Sequence, residues 1–365
     1  MKVDRIRLFF VFLLVVAIAT LALAGGLGGC EKGKGPLGEE QENGNGDGNG
    51  GDDGTQAGGF NGVAFVRDDY IYLAEYLEEE EEIDESSLTS AASGYGDLAF
   101  SPSGTKLAAT KVEGDALPQL VIIDIESEKM TEVSWTNEDY SGAWTKADLG
   151  PWFGSITWAD EEVLYCTAQR SVEGEFRYFV VKYDLSIPYV EIVAADACNP
   201  ALDPDGEKLA YIRMPADWAE IGIAPWGTID PGELVVMDLA SGDTKRISVN
   251  RDGVDRGYVF DAAFSPDGQH MAVDCFDEPD TELYYTDLGG DILYTLDMVG
   301  PAGRTEHPSF SPAGDYVIYD IAYREAMDAP YDYTMFIMPT GSAPPEGADG
   351  VDLGEGWDPA WSPVK

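Results

Sequence analysis

One short phrase returns along this chain: an aromatic residue or leucine, then Ser-Pro or Asp-Pro, a small or acidic residue, a glycine and a hydrophobic strand. It reads Phe100-Ser101-Pro102-Ser103-Gly104, Leu202-Asp203-Pro204-Asp205-Gly206, Phe264-Ser265-Pro266-Asp267-Gly268 and Phe310-Ser311-Pro312-Ala313-Gly314. A shortened copy, Trp361-Ser362-Pro363, stands at the C-terminus, and a degenerate one, Trp158-Ala159-Asp160-Glu161-Glu162, lacks both Pro and Gly. Measured between the aromatic or leucine anchors, the spacings are 58, 44, 62, 46 and 51 residues. Strand-rich repeats of roughly 40 to 50 residues are the signature of a β-propeller, and six anchors predict six blades.

The unit spanning residues 261–299 shows how a repeat becomes a blade. Asp261–Ser265 is a short strand, and Pro266-Asp267-Gly268 turns it, because proline presets the turn and glycine accepts a positive φ. Met271–Cys275, Leu283–Leu288 and Ile292–Leu296 follow as second, third and fourth strands, with Gly289-Gly290 as a hairpin turn. The two ends of the chain complement each other. Gly62–Arg67 and Tyr70–Glu75 read as second and third strands without a first, and Asp358–Ser362 reads as a first strand with nothing after it. Joined, they make one blade of an all-β, six-bladed propeller of four-stranded antiparallel sheets, closed without open sheet edges.

The repeated Phe-Ser-Pro-Asp-Gly with its hydrophobic strand resembles the TolB-type propeller repeat of bacteria, over about residues 61–365. The resemblance implies a fold and leaves function open, because the same repeat serves many proteins. TolB proper is a soluble periplasmic protein with an extra α/β domain ahead of its propeller. Here residues 31–59 read as a tether instead, so the TolB role in envelope constriction is not carried over. The prolyl oligopeptidase group uses related propellers, but no hydrolase domain is legible in this sequence.

Lys2, Arg5 and Arg7 precede an apolar run from Leu8 to Ala24, which marks a targeting segment. Leu27-Gly28-Gly29-Cys30 then resembles the bacterial lipobox, in which the cysteine is diacylated and becomes the mature N-terminus. That reading makes 1–29 a lipoprotein signal peptide and Cys30 the lipidation site. The alternatives are an uncleaved membrane anchor over Leu8–Leu27 and ordinary cleavage after Ala22-Leu23-Ala24. All three place the folded part outside the cytoplasm, in the bacterial cell envelope. Residues 30–60 are almost all Gly, Asn, Asp, Glu and Gln and are predicted to be a disordered tether. The propeller then occupies 61–365.

The formal charge of −46, from 68 acidic and 22 basic residues, excludes nucleic acid and anionic lipid as partners. The membrane is engaged only through the N-terminal lipid. No Gly-x-Ser-x-Gly elbow, His-Glu-x-x-His, phosphate loop or dinucleotide fingerprint is present. Of the two histidines, His270 follows a Pro-Asp-Gly turn and is expected on the surface.

One constellation follows from topology. The first strand of each blade lines the channel of a propeller, and the residues three before the anchors are Asp97, Ser155, Asn199, Asp261, His307 and Asp358. They are expected to ring the channel mouth, at the start of each strand. Oxygen-rich rings suit Ca²⁺ or Mg²⁺, or an ammonium or guanidinium group. Calcium is the one cofactor the sequence suggests, with Asp97, Asn199, Asp261 and Asp358 as ligands. The competing reading is that these side chains cap strand entries and bond local backbone. The long insertions Trp135–Phe153, Gln169–Arg177, Met214–Gly232 and Tyr323–Asp332 are expected on the same face. They carry Trp144, Trp152, Trp218 and Trp226, either as recognition aromatics or as packing that holds the loops down. Trp158 and Trp361, as anchors, are expected in the core. Cys166 and Cys198 are placed either to form a disulfide or to act as small buried hydrophobes, with Cys275 a buried thiol.

Together these features predict a tethered, monomeric, non-enzymatic scaffold that binds an envelope protein, peptide or glycan. The alternative is a metal-dependent hydrolase, lactonase or lyase working from a cation at the channel mouth.

Overall fold

The computed structural model describes residues 60–77, 82–90, 93–114, 118–133, 149–172, 175–187, 189–214, 232–251, 254–255, 259–277, 280–296, 304–323, 332–340 and 351–363. The chain separates into Met1–Gly54, which lies outside the described residues, and Thr55–Lys365. The latter is an all-β, six-bladed propeller in which each blade is a four-stranded antiparallel sheet. Blade 1 runs Gly94–Phe100, Lys106–Val112, Gln119–Asp124 and Lys129–Glu132. Blade 2 runs Leu149–Trp158, Val163–Val172, Glu175–Asp184 and Tyr189–Ala195, and blade 3 runs Ala197–Leu202, Lys208–Arg213, Glu233–Asp238 and Thr244–Arg246. Blade 4 is Val259–Phe264, His270–Asp277, Asp280–Asp287 and Ile292–Leu296, and blade 5 is Arg304–Phe310, Tyr316–Tyr323, Asp332–Pro339 and Val351–Glu355. Blade 6 takes its first strand, Trp357–Trp361, from the end of the chain and its others, Val63–Arg67, Tyr70–Leu77 and Glu82–Ser87, from the beginning.

The seam of blade 6 is sealed by ladder and side chain together. Val63 pairs with Trp361 and Ala64 with Ala360. Ser362 N donates to Gly62 O at 2.8 Å, and Ser362 Oγ donates to Phe60 O. Phe60 N in turn donates to Gly104 O at 3.1 Å, and its ring stacks on Phe100 at 5.8 Å. The first residues of the folded part therefore rest on the turn of blade 1.

Second strands are apolar on both faces, so each blade packs against two neighbours. In blade 1, Leu107 and Ala109 join the cluster shared with blade 6, whereas Ala108, between them, joins the cluster shared with blade 2. The buried core is accordingly six slabs, one between each pair of adjacent sheets. The slab between blades 5 and 6, made of Phe65, Ala74 and Met335, is the thinnest among the described residues.

The Pro-Gly turns are built alike. Gly104, Gly206, Gly268 and Gly314 have φ of 67°, 69°, 64° and 77°. The preceding Ser or Asp is buried and ties the turn to the second strand: Ser311 Oγ accepts from Tyr316 N at 3.1 Å, and Asp203 Oδ1 accepts from Lys208 N at 2.8 Å. In the degenerate repeat Asp160 does this work, accepting from Glu162 N and Val163 N at 2.8 Å. At Gly314 an added Cβ would also lie 3.2 Å from Pro266 Cδ of the preceding blade, so the glycine serves blade packing as well as backbone geometry.

Several expectations need correction. The Gln169–Arg177 segment is not an insertion: its described residues lengthen the hairpin, with Gln169 paired to Tyr178 and Val172 to Glu175. Cys166, Cys198 and Cys275 are all buried, and none forms a disulfide. Cys166 packs between blades 1 and 2 and Cys198 between blades 3 and 4, so the sheets hold their side chains in different slabs. His270 is half-buried, because its ring stacks on Tyr285 at 5.0 Å. Trp158 is in the core, donating Nε1–H to Ala99 O at 2.9 Å, but Trp361 is only half-buried.

Candidate functional site: an acidic ring inside the channel

The six ring residues do not sit at strand entries. In every blade the first strand begins earlier than three residues before the anchor, and the ladder to the second strand breaks beside the ring position. Asp97, Ser155, Asn199, His307 and Asp358 have φ of 53°, 43°, 50°, 52° and 55°. They are left-handed residues at β-bulges, which re-aim a side chain out of the strand's alternation. Short polar residues tolerate this backbone and β-branched ones do not. The polar character of the ring is therefore set first by geometry. Gly96 allows its closure, since a Cβ there would lie 3.0 Å from Trp357 Cη2 and 3.4 Å from Asp358 Oδ2.

The ring is chemically lopsided. On one side it is zipped from blade to blade. Ser155 N donates to Asp97 Oδ1 at 2.6 Å, Thr110 Oγ1 donates to Asp97 Oδ2 at 2.9 Å, and Ser155 Oγ donates to Asn199 Oδ1 at 2.9 Å. Asn199 Nδ2 donates to Phe260 O at 2.7 Å, and Asn199 N donates to Thr167 Oγ1 at 2.9 Å. On the other side stand Asp261, His307 and Asp358, with Asp320 behind them. His307 Nδ1 lies 2.9 Å from Asp320 Oδ1, which also accepts from Asp358 N at 3.2 Å. Of the four expected metal ligands, Asp97 and Asn199 thus have their side-chain oxygens engaged, Oδ1 of each by Ser155 of blade 2 and Asp97 Oδ2 by Thr110 of its own blade. Asp261 bonds only Ala262 N in its own strand, at 2.8 Å, among the described contacts.

Burial raises the pKa of Asp97, Asp261 and Asp358. For Asp261 the result is about 6, with the His307 imidazolium and the Ala262 N–H opposing the rise and Asp97 and Glu306 adding to it. Asp97 is moderated by the Ser155 N–H, His307 and Thr110. Asp358 is pushed well up by burial, eased by His307 and raised further by Asp97 and Asp320. Burial would lower His307, but Asp320 and Asp358 overcome it and hold the imidazole well above its usual value. The ring therefore carries more carboxylates than cations to neutralise them.

These residues face a channel of about 540 Å³. Five of the six ring positions line it, Asn199 being the exception. Its wall runs from the ring along the first strands to Pro102, Pro204, Pro266, Pro312 and Pro363 and stops at the ring in the other direction. Pro102, Pro204 and Pro363 are exposed, so the wall reaches solvent on the turn face. The sequence reading placed the ring at a loop-rich mouth; the described cavity lies on the turn side of it. Trp144, Trp218 and Trp226 lie outside the described residues. Trp152 falls on the strand Leu149–Trp158, with its side chain outside what is described.

Sequence reasoning missed the second-strand residues Thr110, Thr167 and Asp320, which bond Asp97, Asn199 and His307, and Asp274, which accepts from Thr305. They were visible as polar residues inside apolar strands, 12 or 13 positions after Asp97, Ser155, Asp261 and His307, as in Val273-Asp274-Cys275 and Tyr319-Asp320-Ile321. Among the described residues no helix is long and apolar enough to cross a membrane.

No protein-family model matches this sequence, and no curated protein matches it. Solved structures do. TolB from Acinetobacter baumannii aligns at 19% identity and a TM-score of 0.55, over 82% of this chain and 66% of that one, so this chain spans just under two thirds of that protein's length. A protein assigned as TolB from Agrobacterium tumefaciens aligns at 13% identity and 0.57, over 84% and 95%. A chain of a nidogen/laminin complex aligns at 8% identity and 0.52, over 82% and 97%. At these identities the likeness concerns architecture. The chain carries the six-bladed propeller fold seen in the TolB structures, closed by its own two ends.

Proposed function

We propose that this chain is a lipid-anchored, non-enzymatic binding module of the cell envelope, whose channel takes a cationic group offered by a protein or peptide. The observation that carries the reading is the imbalance inside the channel: Asp97, Asp261 and Asp358 face about 540 Å³ of open volume with His307 as their cationic neighbour. An entering ammonium or guanidinium would favour the ionised form of carboxylates that burial pushes toward protonation. The approach from the turn face passes prolines and the anchors Leu202 and Trp361, both half-buried. A lysine or arginine side chain, with its apolar stem and charged head, suits such a path.

The test is calorimetry of the full chain with a short lysine- or arginine-bearing peptide and with its norleucine counterpart. Binding of the basic peptide alone, weakened in Asp261→Asn and by added salt, supports the reading. Equal binding of both peptides sinks it. A metal-dependent hydrolase, lactonase or lyase is the alternative, and it predicts a changed product where a binding module returns its ligand intact. Anchoring through Cys30 is tested by Cys30→Ser, which releases the protein from the membrane fraction if the lipid holds it there.

A further inference from the structure

We propose that Glu306, His307 and Asp320, with Asp358 alongside, form a site for one divalent transition ion of the zinc or manganese class on the flank of the channel between blades 5 and 6. Neighbouring residues of a strand ordinarily point to opposite faces. Here the ladder breaks between Glu306 and Ser309, and His307 is left-handed at a φ of 52°. The alternation fails, and ligand atoms of Glu306, His307 and Asp320 all come within 4.8 Å of one another. The 2.9 Å between His307 Nδ1 and Asp320 Oδ1 is close to that of two donors at right angles, each about 2.1 Å from a six-coordinate ion, and a tetrahedral ion needs them to open by about half an ångström.

A second observation points to the ligand independently. Asp320 is fully buried, yet its Oδ2 lacks a hydrogen-bond partner. Buried carboxylate oxygens are costly to leave unpaired. It belongs to the group around His307: Asp320 Oδ1 lies 2.9 Å from His307 Nδ1 and accepts from Asp358 N at 3.2 Å. Glu306 and Asp320 face one imidazole, and with that imidazole neutral a doubly charged ion matches the two carboxylates. The ion would take the place of the proton between His307 Nδ1 and Asp320, and that proton would leave to solvent. A nitrogen donor among oxygens favours zinc or manganese over calcium and magnesium, which take oxygen ligands. The set differs from the oxygen-only set expected from the sequence, and it does not depend on the channel accepting a basic peptide.

The experiment uses the full chain, stripped with EDTA and dialysed, then titrated with ZnCl₂, MnCl₂ and CaCl₂ at equal ionic strength. Calorimetry and thermal melting are the readouts. One equivalent of Zn²⁺ or Mn²⁺ is expected to bind and raise the melting temperature by mass action, with no comparable effect of Ca²⁺. His307→Gln and Glu306→Gln are expected to abolish this, whereas Asp261→Asn, outside the set, keeps it. Absence of stoichiometric binding overturns the proposal, as does an equal response to Ca²⁺ or full binding by His307→Gln. Should a variant fail to fold, pulsed EPR of the Mn²⁺-loaded native chain decides: imidazole nitrogen coupling supports the site and oxygen-only coordination overturns it. Loss of peptide binding in Asp261→Asn with metal binding intact separates this result from the channel reading.

Discussion

Replacing Asp261 by asparagine should make the propeller more stable, and only above the pH at which the carboxylate ionises. In the fold this acid titrates at about 6 instead of 3.8. The folded state therefore binds the Asp261 proton more tightly than the unfolded chain does. Between about pH 4 and pH 6 the folded protein holds a proton that the unfolded chain has released, so stability falls with rising pH across that window. Above it the deficit stays constant. At about 1.4 kcal/mol per pKa unit the full gap is worth about 3 kcal/mol. Because the side chain borders a solvated channel, we expect about 2 kcal/mol at pH 7.5. Asparagine keeps an oxygen for the Ala262 N–H and removes the charge, and His307 keeps Asp320 and Asp358 as its carboxylate partners. In a domain of this size about 2 kcal/mol corresponds to a rise of roughly 4 °C in melting temperature. The assay is thermal melting of both proteins in EDTA at pH 4 and pH 7.5, followed by circular dichroism. Coincident curves at pH 4 and a more stable variant at pH 7.5 are the expected result. A variant that melts lower at both values would refute the claim that this carboxylate is held at the expense of the fold.

Three further outcomes follow from the packing. Thr167→Val leaves Asn199 N without its acceptor across the blade 2–3 boundary and should cost about 1–3 kcal/mol in urea unfolding, whereas Thr167→Ser should cost less than half of that. Gly314→Ala combines a φ of 77° with a Cβ 3.2 Å from Pro266 Cδ; a loss of about 1–2 kcal/mol is expected, and a neutral result would show that the turns slide freely past one another. Ser362→Ala removes the side-chain half of the seam and should destabilise by about 1 kcal/mol, with faster hydrogen exchange at Val63 to Val66 than at Leu107 to Thr110.

The fold was legible because its determinants are local and repeated. A Pro-Gly turn between an anchor and an apolar strand specifies the same hairpin wherever it occurs, and a lone first strand at Trp357–Trp361 requires the partner that Val63–Arg67 provides. Counting back from anchors such as Phe100 or Phe264 marks six positions, of which five line the channel. The conformation of the ring was not legible. Nothing in the order Gly96-Asp97-Leu98 announces a left-handed residue, because the bulge is imposed by packing around the axis and Asp is also an ordinary strand-end residue. The division into a zipped side and a charged side was hidden too, since it depends on whether the second strand supplies a threonine, as at Thr110 and Thr167, or an aspartate, as at Asp320. Cys166 and Cys198 show the limit of topology without rotation. Their strands belong to neighbouring blades, and the direction in which each side chain points sends them to separate slabs.

Phe60 leans on Gly104, and Ser362 reaches Phe60. Both extremities of the toroid consequently emerge beside the proline collar. A fluorophore placed on residue 60 or 363 would stand beside the turn-face opening of the axial cavity, and an assay that reads that opening would feel it. Probes and immobilisation points belong on the opposite rim, at the hairpin between Val112 and Gln119, where they leave that entrance clear.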